Sequence, residues 1–214
     1  MSVSEDAGFE PLGGEPDPFA SEVPRPPNSI TWGVPLEFVG HKSERELSLR
    51  VLTRLAPWFH IEEQVPGEHC SGKSLRIDAI IRPRRAELWR NPDVALGLEF
   101  KAFNAGGDIS THEVTGLAAQ AIDYTHVTWR NYGRVPVFTC PGALQWLGGA
   151  RSVERHDRGA QMYQHLLGQL GVGELVLYWG KGLTLQLNSH SIWSERGGVE
   201  RGKQWGLSVR AGAR

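Results

Sequence analysis

Apolar and polar positions change period several times along this chain. From Ser43 to Phe59 they follow a helical spacing, with Leu47, Val51, Leu52, Leu55, Trp58 and Phe59 on one face. Ser43 and Glu46 form a capping-box pattern, and Pro57 stands near the end. Phe59 to Pro66 predicts a short strand. Two aliphatic runs follow, Ser74 to Arg82 and Ala95 to Phe103, both bounded by turn formers. Asn104 to Ser110 is a Gly/Asn/Asp loop, and Thr111 to Trp129 predicts a helix. Val135 to Cys140 predicts a strand closed by Pro141-Gly142. Ser152 to Leu170 predicts a helix with Ala160, Tyr163, Leu166, Leu167 and Leu170 on its apolar face. Glu174 to Asn188 predicts a hairpin turning at Gly180-Lys181-Gly182. No internal repeat is visible. The order is helix, three strands, helix, strand, then further helix and strand, a mixed α/β core.

Composition trims this picture at the ends. Residues 1–30 hold six of the thirteen prolines and a net charge of −5, from six acids and Arg25. That predicts a disordered acidic arm, either solvated or a tail that binds a protein partner. A single domain is expected over 31–193, and a Gly/Arg-rich flexible tail over 194–214. The whole chain carries −1, so residues 31–214 carry +4. A mildly basic body allows a polyanionic partner without demanding one. Two cysteines, Cys70 and Cys140, far apart and outside any CxxC pair, give no iron–sulfur cluster and no structural zinc site. No cationic start leads into an apolar run, and no stretch reaches membrane-spanning length, so the expected location is cytoplasmic, with no membrane partner.

Candidate chemistry concentrates between Ser74 and Phe103. Side chains two apart on a strand share a face, so Ala95, Gly97, Glu99 and Lys101 project together, while Leu96, Leu98 and Phe100 point into a core. Asp78 lies among apolar residues on the preceding strand. Ionisable groups buried in apolar strands are costly unless they pair or hold a metal. Glu44 falls on the apolar face of the first helix, where it either serves a site or complements the helix dipole. On the second helix Glu113, Gly116, Gln120, Tyr124 and Val127 share a stripe. Gln120 among such neighbours reads equally as a hydrogen-bonded core amide, and Tyr124 as packing. The connection from Arg82 to Asp93 carries Arg82, Arg84, Arg85, Trp89 and Arg90. Arginines bind phosphate and an indole stacks on a base, so these five are candidate nucleic-acid contacts; the plain alternative is a solvated loop with one packed indole.

Asp78 followed by Glu99-Phe-Lys101 on the next strand resembles the signature of the PD-(D/E)xK nuclease superfamily. The helix, three strands, helix, strand order from Ser43 to Cys140 is similar to that family's restriction-endonuclease-like core. Gln120-Ala-Ile-Asp-Tyr124 resembles the Gln-x-x-x-Tyr motif of the branch containing lambda exonuclease and the RecB nuclease domain. Ile77 stands where the family commonly has proline. The resemblance covers about the middle half of the chain.

It implies a Mg²⁺-dependent nuclease, with Mn²⁺ able to substitute, that hydrolyses DNA in recombination, repair, phage DNA processing or defence. Asp78 and Glu99 would hold the metal, with Glu44 as a further metal-associated acid. Lys101 would orient or deprotonate the attacking water or stabilise charge on phosphate. Gln120 would help position the metal-bound water or serve as scaffold, and Tyr124 would contact substrate or shape the site. A homo-oligomer fits: a dimer suits paired cuts, and a closed ring or a single subunit suits end digestion. RNA stays open as a substrate. The alternative is a nuclease-like module that binds nucleic acid or protein without catalysis. A zinc enzyme is a third reading, and the eight histidines show no HExxH-like spacing.

Overall fold

The structure is a computed structural model that describes residues 43–102, 111–142, 158–178, 181–188 and 190–200. The arm at 1–30, the loop at 104–110, the start of the helix expected from Ser152 and the tail beyond Glu200 lie outside the described residues. So do Phe103, at the end of the expected third strand, and Gly180, in the expected turn.

Helix α1 spans Glu44–Leu55. Ser43 caps it, its Oγ accepting the Glu46 amide at 3.2 Å. The helix stops four residues short of the expected end because Pro57 brings no amide hydrogen to continue it. Its buried face is Leu47, Val51, Leu52 and Leu55. Strand β1 (Phe59–His69) forms a long hairpin with β2 (Ser74–Pro83). A single 3-10 turn at Ala86–Leu88 leads to β3 (Leu96–Phe100). Helix α2 spans Thr111–Thr125, then come β4 (Val127–Trp129) and β5 (Val137–Cys140). Helix α3 (Arg158–Gln169) precedes β6 (Val172–Tyr178), β7 (Gly182–Leu187), β8 (His190–Ser194) and β9 (Gly198–Val199).

The nine strands among the described residues join one sheet in the order β4-β1-β2-β3-β5-β6-β7-β8-β9. The pairs β3–β5 and β5–β6 are parallel and the rest antiparallel. Parallel neighbours need a crossover. The segment containing α2 makes the first crossover and the segment containing α3 the second. The protein is thus a mixed α/β fold.

Two differences from the expected elements have local causes. Val127, Thr128 and Trp129 leave the helix and pair with Gly67–His69, as β-branched and aromatic residues favour. The expected flexible tail from Ser194 is partly built into the sheet. Val199 pairs with Trp193, and Glu195 binds the Arg54 guanidinium through both oxygens at 2.6 and 2.7 Å.

Two apolar clusters fill the protein. One packs α1 with Phe59, Ala79, Ile81, Leu96, Leu98, Phe100 and Trp193. The other packs Ala118, Ala121 and Tyr124 of α2 with Val65, Ile77, Ile80, Val137 and Trp129. The expected inward direction of Leu96, Leu98 and Phe100 is observed: all three are buried in the α1 cluster. The hairpin residues change cluster along its length. Phe59, Ala79 and Ile81 belong to the α1 side, while Val65 and Ile77 belong to the α2 side. The crossing falls at Gln64 and Asp78.

Candidate functional site

At that crossing, hydrogen bonds to side chains supplement the ladder. Ala79 pairs with Leu98 and Ile80 with Gly97, so the next position in the register sets Asp78 beside Glu99. Gly97 keeps the approach close: a Cβ there would stand 2.6 Å from Ile77 Cδ1. The Phe100 amide donates to Asp78 Oδ2 at 2.9 Å, so a carboxylate oxygen takes a backbone donor of the neighbouring strand. Gln64 Nε2 donates to Asp78 Oδ1 at 3.2 Å. Burial raises the Asp78 pKa above the ordinary carboxylate value, against the pull of these two hydrogen bonds.

Glu99 is buried, with 7% of its surface exposed. Gln120 Nε2 donates to Glu99 Oε1 at 2.6 Å and to the Tyr124 hydroxyl at 3.0 Å. Glu99 Oε2 is buried and accepts no hydrogen bond. Burial, then the charges of Asp78 and Glu44, push the Glu99 pKa up to about 8. Tyr124 is buried, its ring edge-on to Trp129 at 5.5 Å, and burial raises its hydroxyl pKa.

Lys101 lies one residue beyond β3, anchored by its amide to the Cys140 carbonyl at 2.9 Å. Its Nζ meets Glu44 Oε1 at 2.6 Å, and both side chains are nearly half exposed. That hydrogen bond raises the Lys101 pKa, so the amine is an ammonium at neutral pH. The six expected site residues thus fall into three neighbouring hydrogen-bonded groups: Asp78 with Gln64 and the Phe100 amide, Glu99 with Gln120 and Tyr124, and Lys101 with Glu44. The observed contact of Glu44 is with Lys101, not the carboxylate pair, because the first turn of α1 faces the end of β3.

Among the described residues no group of three or more His, Cys, Asp or Glu side chains is arranged to hold a metal. The candidate donor set is therefore the Asp78–Glu99 pair. Its chemistry fits a hard divalent cation: Mg²⁺ is commonly bound through one or two carboxylates, with water and substrate phosphate completing the shell. A buried carboxylate oxygen without a partner, beside a second carboxylate, is a place where a cation lowers the energy.

The arginine loop stands elsewhere. Arg82 is four residues along β2 from Asp78, about 13 Å at strand rise. Arg84 Nε binds the Ala56 carbonyl at 2.8 Å, at the far end of α1 from Glu44, about 18 Å at helical rise. Arg82 stacks over the Tyr132 ring at 5.7 Å, Arg85 pairs with Glu87 at 3.1 Å, and Arg90 is exposed. Trp89 is buried and edge-on to Phe59 at 6.3 Å. Its indole is a core group with no face left for a base, which corrects the stacking expectation.

Gln64 was not legible in the sequence as a site residue. It sits on a strand whose pattern alternates poorly, and no motif contains it. Only its hydrogen bond to Asp78 and its backbone conformation reveal it. Comparison with protein families, with curated proteins and with solved structures finds no match.

Proposed function

We propose that this protein is a metal-dependent nuclease of the PD-(D/E)xK type, built on a restriction-endonuclease-like core, that hydrolyses phosphodiester bonds in DNA. The observation that carries the reading is the half-buried Asp78 beside the buried Glu99 with its orphaned Oε2, two positions before Lys101. Support also comes from the order α1, antiparallel β1–β2–β3, α2 and β5 parallel to β3, with β4 added beside β1.

Asp78 and Glu99 would hold Mg²⁺, which when bound polarises phosphate and lowers the pKa of water. Gln120 fixes the rotamer of Glu99 through Oε1 and leaves Oε2 free for the cation. Tyr124 accepts a second hydrogen bond from the same Gln120 nitrogen. Lys101 enters as an ammonium. Serving as a general base would require a depressed pKa, and its partner Glu44 raises it. Its part is to donate hydrogen bonds to the scissile phosphate or the attacking water as negative charge grows on phosphate oxygens. Water adds to phosphorus, the P–O ester bond breaks, and the departing oxygen takes a proton.

The experiment is degradation of linear and circular duplex DNA, single-stranded DNA and RNA with Mg²⁺, Mn²⁺ or EDTA. Cutting that needs metal and is lost in Asp78→Ala and Lys101→Ala supports the reading, and cutting of circles marks an endonuclease. One observation favours the alternative of a binding module without catalysis: Glu44 already neutralises Lys101. Retained DNA binding, with no cutting and no calorimetric heat from Mg²⁺ or Mn²⁺, would select it.

A further inference from the structure

Among the described residues three non-glycine residues have φ in the left-handed region: Gln64 at 53°, Asn131 at 69° and Asn188 at 53°. Asparagine adopts that region readily, and a long unbranched side chain does not. Asn131 and Asn188 lie in turns, whereas Gln64 lies inside an eleven-residue strand. The register is the same on both sides of it, Glu63 with Ala79 and Val65 with Ile77, so no residue has been inserted. Gln64 stands opposite Asp78 and sends its amide to Oδ1.

The bend alone does not explain a glutamine. It carries the hairpin from the α1 cluster to the α2 cluster, and glycine would make the same bend without a steric cost. The side chain accounts for the difference. Strain of this kind persists where the surrounding structure requires it and gathers at functional sites. Asp78 is thereby held at both oxygens, Oδ2 by the Phe100 amide and Oδ1 by Gln64. Glu99 is held at one oxygen by a second carboxamide, Gln120. Two glutamines from opposite sides, β1 and α2, thus set the two carboxylates.

We infer that Gln64 is a positioning residue, held in a left-handed conformation so that its carboxamide fixes the Asp78 carboxylate for a divalent cation. The inference rests on the metal reading of the Asp78–Glu99 pair. Partners behind metal ligands commonly contribute tenfold or more to affinity.

The test is calorimetric titration of the full chain with Mn²⁺ alone, for the wild type, Gln64→Gly and Gln64→Met, alongside thermal unfolding in EDTA. Gln64→Gly keeps the bend and removes the amide; Gln64→Met keeps the length without a donor. The expected result is about tenfold or greater loss of Mn²⁺ affinity in both variants. In Gln64→Gly the melting temperature stays level or rises. Wild-type Mn²⁺ affinity in either folded variant would overturn the inference and leave the metal reading standing. Absence of Mn²⁺ binding by the wild type would remove the metal reading, and the inference with it.

Discussion

Replacing Glu99 by glutamine isolates the cost of the buried carboxylate. An unperturbed glutamate titrates at 4.5, and burial beside Asp78 moves Glu99 to about 8. The folded state thus holds a proton between these values that the unfolded chain has released. Stability falls wherever the folded state binds more protons as pH rises. Without metal the wild type therefore loses stability from about pH 4.5 to about pH 8 and levels off above. A displacement of this size corresponds to at most roughly 5 kcal/mol at about 1.4 kcal/mol per pH unit. Glu99→Gln cannot ionise, and its side-chain oxygen can still accept from Gln120. Its new amide nitrogen, placed where Oε2 was, lacks an acceptor and costs about 1–3 kcal/mol at every pH. The expected outcome is a variant slightly less stable than wild type at pH 5 and more stable, by a few kcal/mol, at pH 8. Asp78 is raised in the same direction, so the variant keeps a smaller slope of its own. Denaturant unfolding in EDTA from pH 5 to pH 8.5 measures this. A wild type that does not weaken over that interval, or a variant that weakens equally, would refute the argument. Mn²⁺ added at pH 8 should stabilise the wild type and not Glu99→Gln, by linkage of binding to folding.

Two further expectations concern the frame around the site. Glu195→Ala should cost about 3 kcal/mol in denaturant unfolding, because it breaks a mostly buried bidentate pair with Arg54 and removes the acceptor of the Leu183 amide. A loss below about 1 kcal/mol would show that the strands beyond Ser194 are not tied to α1 as described. Trp89→Ala should cost about 3–5 kcal/mol as a core truncation, and DNA affinity of the folded variant should be unchanged. A specific loss of DNA binding at wild-type stability would return Trp89 to the substrate contacts.

The placement of Glu99 and Lys101 along one strand was readable because strand periodicity is strict. Every residue of β3 is buried, and the period of two is observed in which cluster each side joins: Leu96, Leu98 and Phe100 pack with α1, and Ala95 packs with α2. Gln120 and Tyr124 were readable because i and i+4 meet on a helix, as their hydrogen bond shows. Glu44 was half readable: helical phase placed it near the core side, but its partner depends on where β3 ends. Trp89 was misread because a tryptophan between arginines carries no sign of which face is covered; Phe59, thirty residues earlier, decides that. β8 and β9 were missed because short strands at a sheet edge are fixed by pairing and by the distant Arg54, not by local pattern. Gln64 was invisible for a related reason. A left-handed residue inside a strand departs from every propensity, and its cause lies on the facing strand.

The placement of Lys101 bears on whether the acids are structural or functional. A network built for stability would set its one nearby cation against the most buried carboxylates, where desolvation is largest. Here Lys101 makes its short contact with the half-exposed Glu44, an arrangement that contributes little in itself. Glu99, far less exposed, is left with an amide on one oxygen and nothing on the other. Asp78 receives a backbone amide and a second carboxamide. Neutral donors orient a carboxylate without cancelling its charge. The protein has thus set two acids side by side on adjacent strands, fixed them with glutamines, and given its ammonium group a short contact with a third acid, Glu44. Such an arrangement is costly as it stands, and under the proposed reading a divalent cation held by Asp78 and Glu99 would offset that cost. That placement, more than the presence of acids and a lysine, is the argument for a site that handles metal and phosphate.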